Sequence, residues 1–237
     1  MKGKSFHEIL AAIAPPKFDH VCTSCRAAIP RPGLCLECTD ARRAARDAAL
    51  ATRASMPERF AWVPGLTAPA LSDRVDPDAL AQARALDLAR LDRVTLLGPA
   101  ASGKSSLAVA LASAWTAANA LPSVFVAAAD LGVARQQHGL GAGEAALVRQ
   151  AMCAALIILD DIGVEPEIGT PAMAHVLHHR YDGERPTIVT TGLTVEQLAK
   201  RYGAGVARRL LETAGGVVVL KLSARRDRTA PKRLPVG

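Results

Sequence analysis

The apolar residues of this chain follow two alternating rhythms. Short apolar runs stand at 94–97 (V-T-L-L), 123–129 (S-V-F-V-A-A-A), 155–160 (A-L-I-I-L-D), 187–191 (T-I-V-T-T) and 217–222 (V-V-V-L-K-L). Each reads as a strand, and 155–160 as one buried on both faces. Between them, apolar residues recur at helical spacing. This predicts helices over 78–91 behind Pro77, over 107–115, over 144–153, around Met173, Val176 and Leu177, over 195–201 and over 206–211. Glycines at 139, 141 and 143 mark a loop before the third of these. Strands alternating with helices call for a parallel sheet between helical layers.

The first 56 residues follow a different pattern. Phe6, Ile9, Leu10 and Ile13 mark one face of a short helix closed by Pro15 and Pro16. A cysteine-bearing stretch follows, and then an alanine- and arginine-rich helix over 39–55 without a wide apolar face. Pro57 opens the next domain, in which Phe60, Trp62, Val63 and Leu66 pack under the first strand. The expected organisation is an N-terminal module (1–40), a helical linker (41–56), an α/β domain (57–224) and a basic flexible tail (225–237).

The first strand leads into Gly98, Pro99, Ala100, Ala101, Ser102, Gly103, Lys104, Ser105 and Ser106. Two glycines bracketing small residues, between a strand and a helix, let backbone N–H groups close around a phosphate at a helix N-terminus. Lys104 then reaches the β- and γ-phosphates and the Ser105 hydroxyl holds Mg²⁺, the pattern of a P-loop. The run 155–160 ends in Asp160 and Asp161 at the carboxyl end of a parallel strand. There Asp160 is placed to hold Mg²⁺ and Asp161 to orient or deprotonate water. Together these segments read as a nucleotide triphosphate site.

Cys22 and Cys25, then Cys35 and Cys38, make two Cys-x-x-Cys knuckles separated by nine residues that include Pro30, Pro32 and Gly33. Four thiolates so spaced converge on one Zn²⁺, and a segment this small needs such a staple. His20 is nearby, but four cysteines already fill a tetrahedral shell. Cys153 reads as a buried core thiol, and His175, His178 and His179 as an exposed helix face.

With 237 residues, half of them hydrophobic, the chain holds one α/β domain with a small appendage. It has neither a long apolar run nor a secretory leader pattern, which points to a cytoplasmic protein with no membrane partner. The net charge of +7 implies an anionic partner, nucleic acid first. Basic residues concentrate at Arg42, Arg43, Arg46 and Arg53 and again at Arg225, Arg226, Arg228, Lys232 and Arg233. Aromatic residues make up only 3%, so contact is expected through phosphates and not base stacking.

The order P-E-R-F, G-P-A-A-S-G-K-S, L-I-I-L-D-D-I-G, T-I-V-T-T-G-L, R-Y-G-A-G-V-A-R-R-L and L-S-A-R-R resembles the AAA+ ATPases of the DnaC and IstB group. These are helicase loaders and transposition helpers of bacteria, phages and mobile elements. The resemblance covers about residues 56 to 228 and makes Asp160 and Asp161 the Walker B pair, where the family more often has Asp-Glu. It implies a polar sensor at Thr191, and an arginine, Arg209 or its neighbour Arg208, that reaches a neighbouring subunit's γ-phosphate. It also implies a second sensor at Arg225 and self-association through the ATP site. The cysteine module occupies the place where helicase loaders carry a partner-binding domain. The function so implied is an ATP-dependent replicative helicase loader on single-stranded DNA. The alternatives are a transposition helper on duplex DNA and an ATP-binding adaptor with negligible turnover, which the shorter Asp161 keeps open.

Overall fold

The computed structural model describes residues 20–139, 141–213 and 217–223. The expected helix of the first 16 residues, Arg225 and the basic tail lie outside the described residues. The chain divides into two compact units, Met1–Ala44 and Ala45–Gly237.

In the first unit, β1 (His20–Val21) and β2 (Ala28–Ile29) pair antiparallel, His20 opposite Ile29. Among its described residues only Cys22 and Ile29 are buried hydrophobics, fewer than a hydrophobic core of ordinary size needs. Helix α1 (Leu36–Ser55) starts inside it, at the second cysteine pair, three residues earlier than the alanine pattern suggests.

The second unit begins within α1, whose last turns are fixed by hydroxyl groups. Buried Thr52 shares a hydrogen bond with Thr116 (3.0 Å), and its Oγ1 accepts from the Ser123 backbone N–H (2.8 Å). A 3-10 turn, Glu58–Phe60, follows, then α2 (Pro69–Ser72) and α3 (Pro77–Arg84). The helix expected over 78–91 thus stops at Arg84. The side chain of Asp87 caps a separate 3-10 turn, Leu88–Arg90, through the Ala89 N–H.

A parallel five-stranded sheet follows, built from β3 (Arg93–Leu97), β4 (Ser123–Ala127), β5 (Leu156–Ile162), β6 (Thr187–Thr191) and β7 (Val217–Lys221). Its strand order is β4-β5-β6-β3-β7. The near-continuous burial of β5 and β6 matches strands covered on both faces. One covering layer centres on α4 (Lys104–Asn119), buried almost all round through Leu107, Val109, Leu111 and Trp115. The other holds α5 (Ala128–Gln136), α6 (Ala146–Cys153), α7 (Thr170–Asp182), α8 (Val195–Tyr202) and α9 (Ala204–Leu211).

Two local expectations are corrected. The alanines at the end of β4 turn into helix α5, which the pattern had absorbed into the strand; alanine is the strongest helix former and a poor strand residue. Gly132 inside α5 marks a close approach, because a Cβ there would lie 2.6 Å from Gly169 Cα. Cys153 is exposed. It ends α6, whose inward residues are Val148 and Ala151, and two positions beyond Ala151 is the far side of a helix.

A fully buried arginine joins the second layer. Arg180 donates to the carbonyls of Ala151, Met152 and Ala154 at the end of α6, to Pro186 O (2.6 Å) and to Thr187 Oγ1 (2.9 Å). Burial brings its pKa down to about 10, so it remains a cation at neutral pH and faces the negative end of a helix dipole.

Candidate functional site

β3 lies between β6 and β7, so the loop that leaves its carboxyl end is flanked by strand ends on both sides. Gly98 donates its N–H to Thr191 O (3.3 Å), and a Cβ on it would meet Leu222 O at 2.5 Å. Gly103 has φ +90°, and a Cβ there would lie 2.4 Å from Arg74 O. Both glycines are therefore required by close backbone approach. Ala101 also takes a left-handed conformation, φ 60°. The loop then enters α4, whose N-terminus offers unpaired N–H groups and the positive end of its dipole.

Lys104 is buried. Its Nζ donates to Gly98 O and Pro99 O, each at 2.8 Å, and burial pulls its pKa below the usual lysine value against the opposing pull of Asp161 and Asp160. Ser102 Oγ is buried without a hydrogen-bond partner. A buried hydroxyl of this kind, in a loop of converging amides, suits the oxygens of a phosphate.

The two aspartates sit at a break in register between β5 and β6, between Leu159 and Ile162, where Asp161 has φ 55°. The break turns the carboxylates apart: Asp160 is 2% exposed, whereas Asp161 opens on solvent. Thr190 bridges them, donating to Asp160 Oδ1 (2.7 Å) and accepting from the Asp161 N–H (2.8 Å). Arg59 Nη2 lies 3.7 Å from Asp160 Oδ2. Desolvation, and then Asp160, raise the Asp161 pKa above the ordinary aspartate value. The cleft these elements border has a volume of about 540 Å³; Ala100 to Ser106, Asp161 and Gly192 line it, with Arg59 and Arg74 from the segment before β3. Ser105 and Asp160 supply hard oxygen donors of the kind Mg²⁺ takes.

The remaining nominated residues are spread more widely. Thr191, one position beyond Thr190, points away from the aspartates, donating to Ile162 O (2.8 Å) and accepting from Leu193 N–H (3.1 Å). Arg209 is held by His178, by the Tyr181 ring (4.3 Å to its centroid) and by Asp182 (4.0 Å). Arg93, at the start of β3, stacks on the same tyrosine, so Arg209 sits at the strand end away from its own phosphate loop, roughly 13 Å of strand apart. Arg208 is exposed and pairs only loosely with Glu212 (3.7 Å). Of the three histidines, His175 and His178 are exposed and His179 is half-buried.

Sequence reasoning missed Thr190, Arg59, Arg74 and Glu165. The buried Glu165 carboxylate accepts from Gly163 N–H (2.8 Å) and Tyr202 OH and pairs with Arg201 (3.2 Å), tying the loop after the aspartates to α8. Strand alternation was the available signal for Thr190: it shares a face with neither Thr191 nor Val189.

In the first unit the four cysteine Sγ atoms lie within 4.8 Å of one another. Backbone N–H groups of Ser24 (3.4 Å) and Cys35 (3.3 Å) point at Cys22 Sγ, and that of Cys38 at Cys35 Sγ (3.4 Å). The N–H groups of Cys25 and Cys35 hold the Cys22 thiol down to about 6, whereas hydrogen bonding with Cys35 and Cys25 pushes Cys38 up to about 12. Four sulfurs so close, with backbone N–H groups directed at two of them, fit a divalent thiophilic cation, and the four residues are compatible with a structural zinc module.

The family model of the IstB-like ATP binding protein matches residues 34–213. Among solved structures, the DnaC helicase loader aligns with 70% of this chain and 99% of its own, at 21% identity and TM-score 0.57. DnaI aligns with 72% of this chain and 94% of its own, at 21% identity and TM-score 0.50. The replication initiator DnaA bound to AMPPCP and single-stranded DNA aligns with 64% of this chain and 49% of its own, at 16% identity and TM-score 0.50. A comparison with curated protein sequences returns no match.

Proposed function

The chain belongs to the IstB-like ATP binding protein family, and from that premise we propose that it is an ATPase that loads a replicative helicase onto single-stranded DNA. The observation that carries the ATP-site reading is one cleft shared by the phosphate loop and Asp161, with Asp160 buried behind it. The backbone N–H groups of residues 100–106 and the Ser102 and Ser106 hydroxyls bind the phosphates, and Lys104 leaves its loop carbonyls to pair with them. Mg²⁺, held through Ser105 and Asp160, would neutralise charge on the phosphates. Asp161 orients the attacking water, and Thr190 fixes both aspartates as the polar sensor, in the role first given to Thr191.

Arg209, or Arg208, acts on a neighbouring subunit's nucleotide, since its distance from its own phosphate loop leaves it no part in that site. Turnover then depends on assembly. The exposed Arg42, Arg43, Arg46 and Arg53 of α1 contact DNA phosphates, with Arg225 and the tail as further contributors. Cys22, Cys25, Cys35 and Cys38 hold zinc and present the module that docks the helicase. The loader reading draws on the fold shared with a helicase loader. Membership of the IstB-like family keeps the transposition helper on duplex DNA, implied by the sequence resemblance, as the second reading.

Equilibrium binding of ATP to the wild-type chain and to Lys104→Ala tests the site. The expected result is a loss of about tenfold or more in the variant, the scale of one charge-assisted phosphate contact. Unchanged affinity overturns the assignment.

A further inference from the structure

We propose that Arg59 distinguishes a triphosphate from a diphosphate in this site, its guanidinium contacting the terminal phosphate of ATP bound to the same subunit. The inference rests on the ATP-site reading above.

Arg59 stands on a fixed base with a movable end. Its 3-10 turn is anchored by buried Phe60, whose ring meets that of Phe125 at 5.8 Å between centroids. The Arg59 side chain is 65% exposed and lies over the Phe60 ring, 4.9 Å from its centroid. Its reach to Asp160, 3.7 Å, is too long for a hydrogen bond. The pair joins an exposed guanidinium to a buried carboxylate at a distance that leaves the guanidinium's donors available to a further anion.

The placement is informative about chemistry. The phosphates nearest the loop amides and Lys104 are common to ADP and ATP. The carboxylate that orients water has to border the terminal phosphate, because that is where water attacks. Arg59 lines the same cleft as that carboxylate, Asp161, and lies within ion-pair reach of Asp160. It therefore borders the position that only a triphosphate fills. Asp160 and Asp161 also repel an incoming γ-phosphate. A cation from the same subunit offsets that repulsion before any neighbour contributes an arginine. Arg74 lines the cleft too, but stacks on Trp62 (4.3 Å), away from the aspartates, and serves as the control for charge alone.

The test is displacement of a fluorescent ADP analogue by ADP and by a non-hydrolysable ATP analogue, with Mg²⁺, for the wild type, Arg59→Ala, Arg59→Lys and Arg74→Ala. The expected result is an Arg59→Ala affinity about tenfold weaker for the ATP analogue and within about twofold for ADP. Arg59→Lys falls between, because lysine keeps the charge and loses the planar fork. Arg74→Ala weakens both nucleotides alike. Equal loss of both nucleotides in Arg59→Ala, or loss of neither, overturns the proposal. If Arg59→Ala does not fold, Arg59→Lys carries the same comparison. A wild-type chain that binds neither nucleotide overturns the ATP-site reading itself, and this inference with it.

Discussion

At the scale of single residues, Asp161 combines two unfavourable conditions: a left-handed backbone at φ 55° and a carboxylate whose ionised form is opposed by desolvation and by Asp160. Asp161→Asn removes the charge and keeps a side chain that tolerates the left-handed backbone. We expect the variant to melt about 2 °C higher at pH 7 without added nucleotide, and to lose turnover. The sign follows from linkage. A carboxyl whose folded pKa is raised opposes folding above that pKa, and the opposition fades as pH falls toward the ordinary aspartate value. The melting difference therefore narrows on acidification; a constant difference would show that the Asp161 charge is not its source. The carboxylate pair was legible in the sequence because an apolar run ending in two aspartates has few other uses. Its geometry was not. The register break that separates the two side chains, and brings Thr190 instead of Thr191 to them, follows from strand pairing across 30 residues.

At the scale of elements, two buried charges decide how the second layer meets the sheet. Among the described residues Arg180 has no carboxylate partner, and it relies on carbonyls at the end of α6 and around β6. Removing it leaves those carbonyls buried and unpaired. Arg180→Met is expected to cost about 3 kcal/mol in denaturant unfolding, near the low end of the range for a broken buried network. A loss below about 1 kcal/mol would mean that water replaces the guanidinium. Glu165 links the loop after Asp161 to α8, so Glu165→Gln is expected to lower turnover more than ATP affinity, measured as separate kcat and binding constants. The alternation of strands and helices was readable from apolar spacing alone. Helix α5 was not, because its alanines continue the apolar run of β4 and only propensity separates them. The buried Arg180 and Glu165 were not legible either, since charged residues in a helix and a loop read as surface until their neighbours are known.

At the scale of the whole molecule, the chain joins a domain of the IstB-like ATP binding protein family to a small cysteine-bearing unit, and each has its own test. The cysteine spacing announced the second unit plainly, because little else holds so short a segment. Cys25→Ser is expected to lower bound zinc from about one equivalent to well below one and to abolish folding of residues 20–44, read by metal analysis and by protease resistance. Retention of both would overturn the zinc assignment. Among the described residues no helix is long and apolar enough to cross a membrane. The net charge of +7 fits the nucleic-acid partner proposed above, and binding to it is expected to weaken with salt. Assembly is the property least readable from one chain. A sequence shows an arginine doublet, and the structure shows only that Arg209 lies at the end of β3 away from the phosphate loop.

ATP turnover tests the account most directly, measured for the chain alone, with single-stranded DNA and with duplex DNA, at low and high salt, beside Arg209→Ala. The account predicts slow turnover by the chain alone and stimulation by single strands that is lost at high salt and in the variant. ATP that binds but is not hydrolysed under any of these conditions would contradict it.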